Sequence, residues 1–200
     1  MSALRNIALF GGTFDPVHLG HVQLADMARQ SLALDEVRFL PCQISPHKPD
    51  STPTPAADRL EMLRLATVGL PWAVVDDFEV GREGPSFSYQ TAEALAARFP
   101  QARLFWIMGG DQWAALPQWR HPERLAAAVE FIVLARGDRP QPRAGQPRHV
   151  IECEHPASAT AIREAIAAGA TDHPWLAPAV ANWIAQRGLY RGFQPINTTH

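Results

Sequence analysis

The sequence predicts an α/β fold in which a parallel sheet is covered by helices on both faces. Short apolar runs, such as Ile7-Ala8-Leu9-Phe10 and Leu104 to Met108, have the length and composition of buried strands. Amphipathic stretches separate these runs, and strands that alternate with helices lie parallel and are joined by right-handed crossovers. The 200 residues are enough for one domain with a substantial core.

Each predicted element depends on a local pattern of apolar and breaking residues. After the first strand, Val22, Ala25, Ala28 and Leu32 recur at helical spacing and predict the first helix. Gly188 is a typical C-cap and ends the last helix. The predicted strands cover about residues 7–10, 37–40, 72–80, 104–108, 131–134 and 149–151. Further helices are predicted over about residues 57–70, 122–128 and 179–187. Another helix, which has a serine available to cap its start, ends near residue 99, and one more begins at residue 158.

Two proline-rich segments are predicted to be loops. Residues 43–55 are long and polar, which is typical of a functional surface loop rather than a core connection. Residues 136–148 are rich in proline and arginine, and we expect them to be a disordered internal segment.

Composition limits the partners and the location of the protein. The formal net charge of −2 and the sequence pI near 6.4 argue against general binding of nucleic acid or of an anionic membrane. No apolar run approaches the roughly 20 residues of a membrane span, and no signal-peptide core precedes the first strand. Cys42 and Cys153 are far apart and in no motif, so we expect free thiols in a cytoplasmic protein.

The most informative stretch runs from Gly11 to His21 and reads Gly-Gly-Thr-Phe-Asp-Pro-Val-His-Leu-Gly-His. It joins the first strand to the first helix, and its glycines allow the backbone to come close to a ligand. Unpaired N–H groups at a helix start favour an anion such as phosphate. His18 and His21 are three residues apart and are expected to project from one side of the first turn. These features predict a polyphosphate site.

Taken alone, the histidine pair has two other interpretations. Both residues could be ordinary histidines on a βα turn. They could also belong to a zinc site, although no CxxC motif or third ligand accompanies them. The stretch is neither Gly-x-Gly-x-x-Gly nor a P-loop, so neither common phosphate motif applies.

A second anion pocket is predicted where a helix begins at Ser158. A hydroxyl and free amides at the helix start, with Arg163 one turn inside, can hold negative charge. A capped helix with a surface arginine would have the same sequence. Gly109-Gly110-Asp111 and Arg136 also follow predicted strands, so they should converge with the opening motif at the carboxyl edge of the sheet. Asp111 could alternatively be a helix N-cap.

The stretch from Gly11 to His21 resembles the signature of nucleotidyltransferases that carry a His-x-Gly-His motif. Within that superfamily the chain is similar to bacterial nicotinate-nucleotide adenylyltransferases. Pro46-His47-Lys48 resembles the basic loop of that family, and Ser158 to Arg163 resembles its Ile-Ser-(Ser/Ala)-Thr-x-Ile-Arg signature. The likeness continues to Arg191 and implies a Rossmann-like, doubly wound domain over residues 1–191, followed by a C-terminal tail over residues 192–200.

The resemblance implies an enzyme of NAD biosynthesis that joins ATP and nicotinate mononucleotide to give deamido-NAD and pyrophosphate. The phosphate of the mononucleotide would attack the α-phosphorus of ATP in line. Catalysis would then consist of positioning and charge stabilisation without a covalent intermediate. Mg²⁺ is expected to arrive with ATP, no resident metal site is expected, and no oligomeric state is implied.

The resemblance also assigns residues to roles. The implied catalytic residues are His18, His21, Lys48 and Arg163. The residues implied in ATP binding are Gly11, Gly12, Thr13, Phe14, His18, His21, Gly109, Asp111, Ser158, Thr160 and Arg163. The residues implied in binding nicotinate mononucleotide are Gly12, Asp15, Lys48, Thr91, Trp119, Arg120 and Arg136. Trp119 would stack on the pyridine ring, and Arg136 would meet the phosphate of the mononucleotide.

Two positions depart from the family pattern. Ala157 stands where isoleucine is favoured, which we expect to affect packing at the start of the helix. Arg120 stands where relatives often carry an aromatic residue, so its guanidinium would face either the carboxylate of the substrate or solvent.

Two alternative functions share part of the pattern. A sibling enzyme such as phosphopantetheine adenylyltransferase has the opening motif and the same chemistry. It would not be expected to carry Trp119 or the segment from Pro85 to Thr91. A non-catalytic nucleotide-binding module would be favoured by loss of a motif histidine or of Arg163, and this chain has lost neither.

Overall fold

A computed structural model describes residues 4–46, 52–137 and 140–194. Within these residues, six parallel strands form one sheet in the order β3-β2-β1-β4-β5-β6. The strands are β1 (Arg5–Gly12), β2 (Glu36–Pro41), β3 (Ala73–Val75), β4 (Ala102–Gly109), β5 (Glu130–Ala135) and β6 (Arg148–Glu152). The helices are α1 (Leu19–Ser31), α2 (Ala56–Thr67), α3 (Ser88–Arg98), α4 (Gly110–Ala115), α5 (Pro122–Ala128), α6 (Ala159–Ala167) and α7 (Pro178–Arg187), and a 3₁₀ turn covers Leu116–Gln118.

Alternating side chains of the strands build a core on each face of the sheet. On one face, Phe105 and Ile107 of β4 pack with buried residues of α1, α2, α6 and α7. On the other face, Leu104, Trp106 and Met108 pack with buried residues of α3, α4 and α5. Successive strand residues point to opposite faces, so a strand buried on both faces must be apolar throughout. This arrangement confirms the predicted single-domain, doubly wound fold.

The strand order creates a crevice at the carboxyl edge of the sheet. The chain leaves β1 towards β2 on one side, and it leaves β4 towards β5 on the other. Such a reversal of direction is where open parallel sheets bind ligands. The loops after β1, β4 and β5 start at neighbouring strand ends, as expected for the opening motif, Gly109-Gly110-Asp111 and Arg136.

Two predicted elements are longer than the observed ones. The strand expected over 72–80 ends at Val75, because the carboxylate of Asp76 accepts hydrogen bonds from Phe78 N (3.0 Å) and from Arg38 (2.6 Å) and turns the chain. The helix expected over 57–70 ends at Thr67, whose hydroxyl donates to Leu63 O (2.8 Å).

The start of α3 also differs from expectation. The cap position is Phe87 and not a serine, and no side chain caps the helix there. Ser86 is used elsewhere, since its hydroxyl accepts a hydrogen bond from Gln43 N at 3.0 Å and its N–H donates to Ile44 O. The Ser86 side chain, which local sequence predicts to be available as a helix cap, instead makes a tertiary contact with Gln43.

The expectation of disorder over residues 136–148 is wrong for the described residues 140–148. Trp113 in α4 is buried and its Nε1 donates to Gln141 O at 2.9 Å. Arg143 returns a hydrogen bond to Trp113 O at 3.2 Å, and its guanidinium lies over the indole ring. One buried tryptophan therefore anchors this proline-rich segment. Among the described residues, no helix is long and apolar enough to cross a membrane.

A buried arginine joins the opening motif to the segment between β2 and α2. The side chain of Arg59 in α2 is fully buried. Its guanidinium donates to Thr54 O, Thr13 O and Cys42 O, each at 2.8 Å, and to Gln43 O at 3.3 Å. It thereby connects the turn after β1 with both ends of the segment between β2 and α2.

Removing this guanidinium is expected to be costly. In Arg59→Met, buried carbonyl groups lose their donors, and we expect a loss of about 3 kcal/mol in the free energy of unfolding. The measurement is urea denaturation followed by circular dichroism. Arg64→Met on the same helix is the control, because Arg64 is exposed and forms a surface ion pair with Glu61, so its change should stay within about 0.5 kcal/mol. Similar losses of unfolding free energy in both variants would contradict the stabilising role of the buried Arg59 guanidinium.

Candidate active site

Gly11 and Gly12 are the last two residues of β1, and aromatic rings lie where their side chains would be. A Cβ at Gly11 would be 3.0 Å from the ring of Trp106, and one at Gly12 would be 3.0 Å from the ring of Phe14. Phe14 has a φ of +50°, in the left-handed region, and its buried ring packs against Phe10. The two glycines are therefore needed for packing of the turn as well as for any approach of a ligand.

His18 and His21 form a stacked pair at the start of α1. His18 is the N-cap residue, the ring centroids are 3.7 Å apart, and the ring planes differ by 23°. The N–H of His18 donates to Nδ1 of His21 at 3.2 Å. A neutral His21 that accepts at Nδ1 carries its proton on Nε2, so Nε2 is left as a hydrogen-bond donor. The pair lies on one side of the first turn, as its spacing predicted.

Both imidazoles are neutral at physiological pH. Burial lowers the pKa of His18 to about 4, with further contributions from the positive charges of His155 and Arg136. Burial lowers the pKa of His21 well below its ordinary value, and His18 adds to the effect. An anion bound beside the rings would raise both pKa values, because negative charge favours the imidazolium form.

Gly20, the glycine of the His-x-Gly-His motif, lies between two imidazoles. A Cβ at this position would be 2.6 Å from Nδ1 of His155 and 2.9 Å from Nδ1 of His18. Nδ1 of His18 is buried and has no hydrogen-bond partner within the described part of the chain. His155 is held by Gln23 of α1 (2.6 Å) and by the N–H of Ala157 (3.1 Å), so it links the starts of α1 and α6.

Asp15 is bound on both carboxylate oxygens by protein groups. Oδ1 accepts from the hydroxyl of Tyr190 at 2.6 Å, and Oδ2 accepts from Thr54 N at 3.1 Å. Burial and the neighbouring carboxylate raise the pKa of Tyr190 above its ordinary value, so the hydroxyl keeps the proton that it donates. Asp15 thus joins the opening motif to the segment before α2 and to the segment after α7.

Arg163 reaches the opening motif from α6. Ser158 is the N-cap of this helix and accepts from Ala161 N at 3.4 Å, which confirms the predicted cap. Nη1 of Arg163 donates to Asp15 O at 2.6 Å, and Nη2 donates to the hydroxyl of Thr160 at 3.2 Å. The second predicted anion pocket therefore lies against the first.

The other residues predicted to bind a substrate phosphate or ATP lie at separate positions. Arg136 directly follows β5, and its positive charge contributes to the lowered pKa of His18 and of His21. Gly109 is the N-cap of α4 and Asp111 lies exposed in the first turn, so the interpretation of Asp111 as the cap is wrong. Lys48 lies outside the described residues.

A cleft of about 170 Å³ surrounds the residues predicted to hold the pyridine ring. It is lined by Pro46, Phe87, Ser88, Gln118, Trp119 and Arg120. Arg120 lies with its guanidinium 4.8 Å from the centroid of the Phe87 ring. Neither His18 nor His21 lines this cleft. Among the described residues, the cleft therefore does not combine the histidine pair with the residues predicted to hold the pyridine ring.

Thr91 lies beneath this region and not in the lining of the cleft. It is buried, and its hydroxyl donates to Glu79 at 2.6 Å. Burial raises the pKa of the Glu79 carboxyl, while hydrogen bonds from Thr91 and Ser86 oppose this shift. In this structure Thr91 supports the start of α3, and its hydroxyl is occupied.

A larger groove of about 300 Å³ lies between α6 and α7 and is lined mainly by apolar residues, including Ile166, Leu176 and Leu189. None of the predicted site residues lines it. Across the described ranges, no group of three or more His, Cys, Asp or Glu side chains could hold a metal ion.

Comparisons with known proteins assign the chain to a family. The family model of cytidylyltransferase-like proteins matches residues 9–165. A probable nicotinate-nucleotide adenylyltransferase of Geobacillus kaustophilus is 37% identical over 190 residues, which cover 94% of this chain and 87% of the relative. The nicotinate-nucleotide adenylyltransferase of Bacillus subtilis is 34% identical over 190 residues, which cover 94% of this chain and 99% of the relative. The chain belongs to the nicotinate-nucleotide adenylyltransferase family.

A solved structure has the same fold. Plasmodium falciparum nicotinic acid mononucleotide adenylyltransferase complexed with NaAD aligns with a TM-score of 0.75 at 17% identity, covering 94% of this chain and 98% of that chain. At this low identity the likeness concerns the fold alone. Family membership makes the chain a nucleotidyltransferase and confirms the predicted resemblance.

Several residues that organise this nucleotidyltransferase site were not predicted from the sequence. They are Arg59, Glu79, His155 and Tyr190. Arg59 lies among apolar positions of α2, which is a weak signal for a buried charge. Glu79 and Tyr190 have no motif around them, and they act only because the fold brings Thr91 and Asp15 against them.

The lowered pKa of His18 predicts how stability depends on pH. The ordinary pKa of 6.5 applies to the unfolded chain and about 4 applies to the folded protein. Between these values the unfolded chain binds the additional proton, so the free energy of unfolding falls as pH is lowered from about 6.5 to 4. Urea denaturation of wild type and His18→Asn should show a shallower fall in the variant, by up to about 1.4 kcal/mol per pH unit. Equal slopes of unfolding free energy against pH in wild type and His18→Asn would contradict the conclusion that the buried imidazole of His18 is neutral.

Proposed function

We propose that this chain joins ATP and nicotinate mononucleotide to give deamido-NAD and pyrophosphate, a step of NAD biosynthesis. The observation that carries the proposal is the stacked, neutral pair of His18 and His21 at the start of α1, with Arg163 against the same turn. Imidazole N–H donors and a guanidinium are groups that suit a polyphosphate. The family of its relatives supports the choice of ATP and the mononucleotide.

The proposed reaction requires no proton transfer from a strong base. The phosphate of the mononucleotide is already a nucleophile at neutral pH and attacks the α-phosphorus in line, while pyrophosphate leaves. His21 donates from Nε2 to an oxygen of the α- or β-phosphoryl group, and His18 lies beside it. Arg163 and Lys48 balance the charge that develops on the leaving group. These donors stabilise the transition state because they are held in place before the reaction.

The nicotinate side of the proposed site is the cleft beside Trp119. Trp119 is half-buried at its margin and offers a ring on which the pyridine can stack. Arg120 provides positive charge at the same cleft. We assign the phosphate of the mononucleotide to Arg136, which directly follows β5 at the carboxyl edge of the sheet.

Nucleotidyltransferases of this family generally use a divalent metal with ATP. We infer that this metal is Mg²⁺ and that ATP enters as its Mg²⁺ complex, held by phosphate oxygens and water. We also propose a cytoplasmic location. Cys42 and Cys153 support it, because both are buried and no disulfide joins them, which is typical of proteins in a reducing compartment.

The first test compares acceptors. Pyrophosphate release is measured with ATP and Mg²⁺, and nicotinate mononucleotide, nicotinamide mononucleotide and phosphopantetheine are offered separately. We expect turnover mainly with the nicotinate form, since a basic side chain lies at the cleft. Comparable rates with nicotinamide mononucleotide would support the proposed adenylyl transfer but contradict a preference for the carboxylate. Turnover with phosphopantetheine alone, or with none of the three, would overturn the proposal.

His21→Ala tests the transition-state donor. Removal of one such donor is expected to lower kcat by about 100-fold or more, with the fold retained. His149→Ala is the matched control, because His149 lies on β6 beside Glu130, near the amino ends of the strands and so at the opposite edge of the sheet. The control should keep its kcat within about twofold. A His21→Ala enzyme with the kcat of wild type would remove His21 from the mechanism.

A further inference from the structure

The segment after α7 folds back onto the opening motif. Gly188 ends α7 in the left-handed region with a φ of +61°, and Leu189 N donates to Ile184 O. Tyr190 also has a positive φ, and its carbonyl accepts from Phe193 N at 3.0 Å, which closes a turn over 190–193. This turn includes residues beyond Arg191, where the likeness to the family pattern ends.

Tyr190 attaches the turn to the site. Its buried hydroxyl donates to Oδ1 of Asp15 at 2.6 Å, and a hydrogen bond to a carboxylate is short and strong. The other carboxylate oxygen is held by Thr54 N, so Asp15 cannot rotate away without losing a second partner. The position of the turn is therefore coupled to the backbone of the opening motif.

The same turn places the ring of Phe193 over the guanidinium of Arg163. The guanidinium carbon of Arg163 lies 4.5 Å from the centroid of the Phe193 ring. The guanidinium is thus held by three groups, namely the Phe193 ring on one face, Asp15 O on Nη1 and Thr160 on Nη2. Two of its five N–H groups are used in these bonds, and a planar guanidinium fixed in this way can direct its other donors at an oxyanion.

We propose that Phe193 is a positioning residue for Arg163, and that the C-terminal turn over 190–193 is part of the ATP site. The ring holds the guanidinium by a cation–π contact in the orientation that meets the phosphates of ATP. The proposal rests on the proposed function only in assigning Arg163 to those phosphates. It extends the functional domain beyond residue 191 to include Phe193.

Binding of α,β-methylene-ATP with Mg²⁺ tests the proposal without any acceptor. We expect Phe193→Ala to raise the Kd by about 3- to 30-fold, which corresponds to loss of one partly desolvated cation–π contact. Phe193→Trp keeps an aromatic face and should stay within about twofold of wild type. Phe193→Leu keeps the apolar bulk without the π-face and should resemble Phe193→Ala. Gln194→Ala, at the neighbouring exposed position, is the matched control and should bind as wild type does.

Steady-state kinetics separate positioning from a general loss of structure. With nicotinate mononucleotide as acceptor, Phe193→Ala should raise KM for ATP or lower kcat while KM for the acceptor stays within about twofold. Its Tm should stay within about 4 °C of wild type. A Kd for α,β-methylene-ATP that is unchanged in Phe193→Ala, or that rises equally in Phe193→Trp, would overturn the proposal.

A double-mutant cycle shows whether Phe193 acts through Arg163. In an Arg163→Ala background, Phe193→Ala should change the Kd for α,β-methylene-ATP by less than about twofold, because the cation is already absent. Additive effects would overturn the proposal. If wild type binds the analogue but transfers no adenylyl group from ATP to nicotinate mononucleotide, the proposed acceptor fails. The Kd values for the analogue still decide the role of Phe193. If wild type does not bind the analogue, both proposals fail.

Discussion

A connected set of hydrogen bonds around the first βα turn supports the rest of the site. The buried guanidinium of Arg59 donates to Thr13 O and Thr54 O, and the N–H of Thr54 donates to Asp15. Asp15 then accepts from Tyr190, while its carbonyl accepts from Arg163. Loop backbone at the edge of a sheet has polar groups that the ladder does not satisfy, so they need partners from elsewhere. Here Arg59 of α2 and Arg163 of α6 donate to the backbone carbonyls, and Tyr190, in the segment after α7, binds the carboxylate of Asp15.

This arrangement explains how the chain keeps cationic groups next to uncharged histidines. Burial and the positive charge of Arg136 lower the pKa of His18, so the imidazoles remain neutral donors. The guanidinium groups carry the positive charge instead, and that of Arg163 is held by Asp15 O and by the Phe193 ring. In the proposed reaction, such a site is in place before the polyphosphate arrives, and little reorganisation is needed when negative charge moves from one phosphoryl group to the next.

Local sequence accounted for most of the fold and for part of the site. Buried strands such as β4 are apolar on both faces and are visible as runs, and the caps at Ser158 and Gly188 have their usual residue types. Two of the errors occurred where a side chain had a distant partner. Asp76 ended a strand early because Arg38 binds it, and Ser86 did not cap α3 because Gln43 holds it.

The sequence by itself determined the fold class, the strand–turn–helix motif and the pairing of His18 with His21, because each depends on neighbours within a few residues. Only the tertiary structure decided that Asp15 is bound by Tyr190, that Arg163 lies under Phe193, and that Arg59 is buried. These contacts join residues that are far apart along the chain, and they form only when the crossovers bring the helices to the same edge of the sheet. Spacing in a sequence encodes a period, whereas contacts of this kind depend on the packing of whole elements.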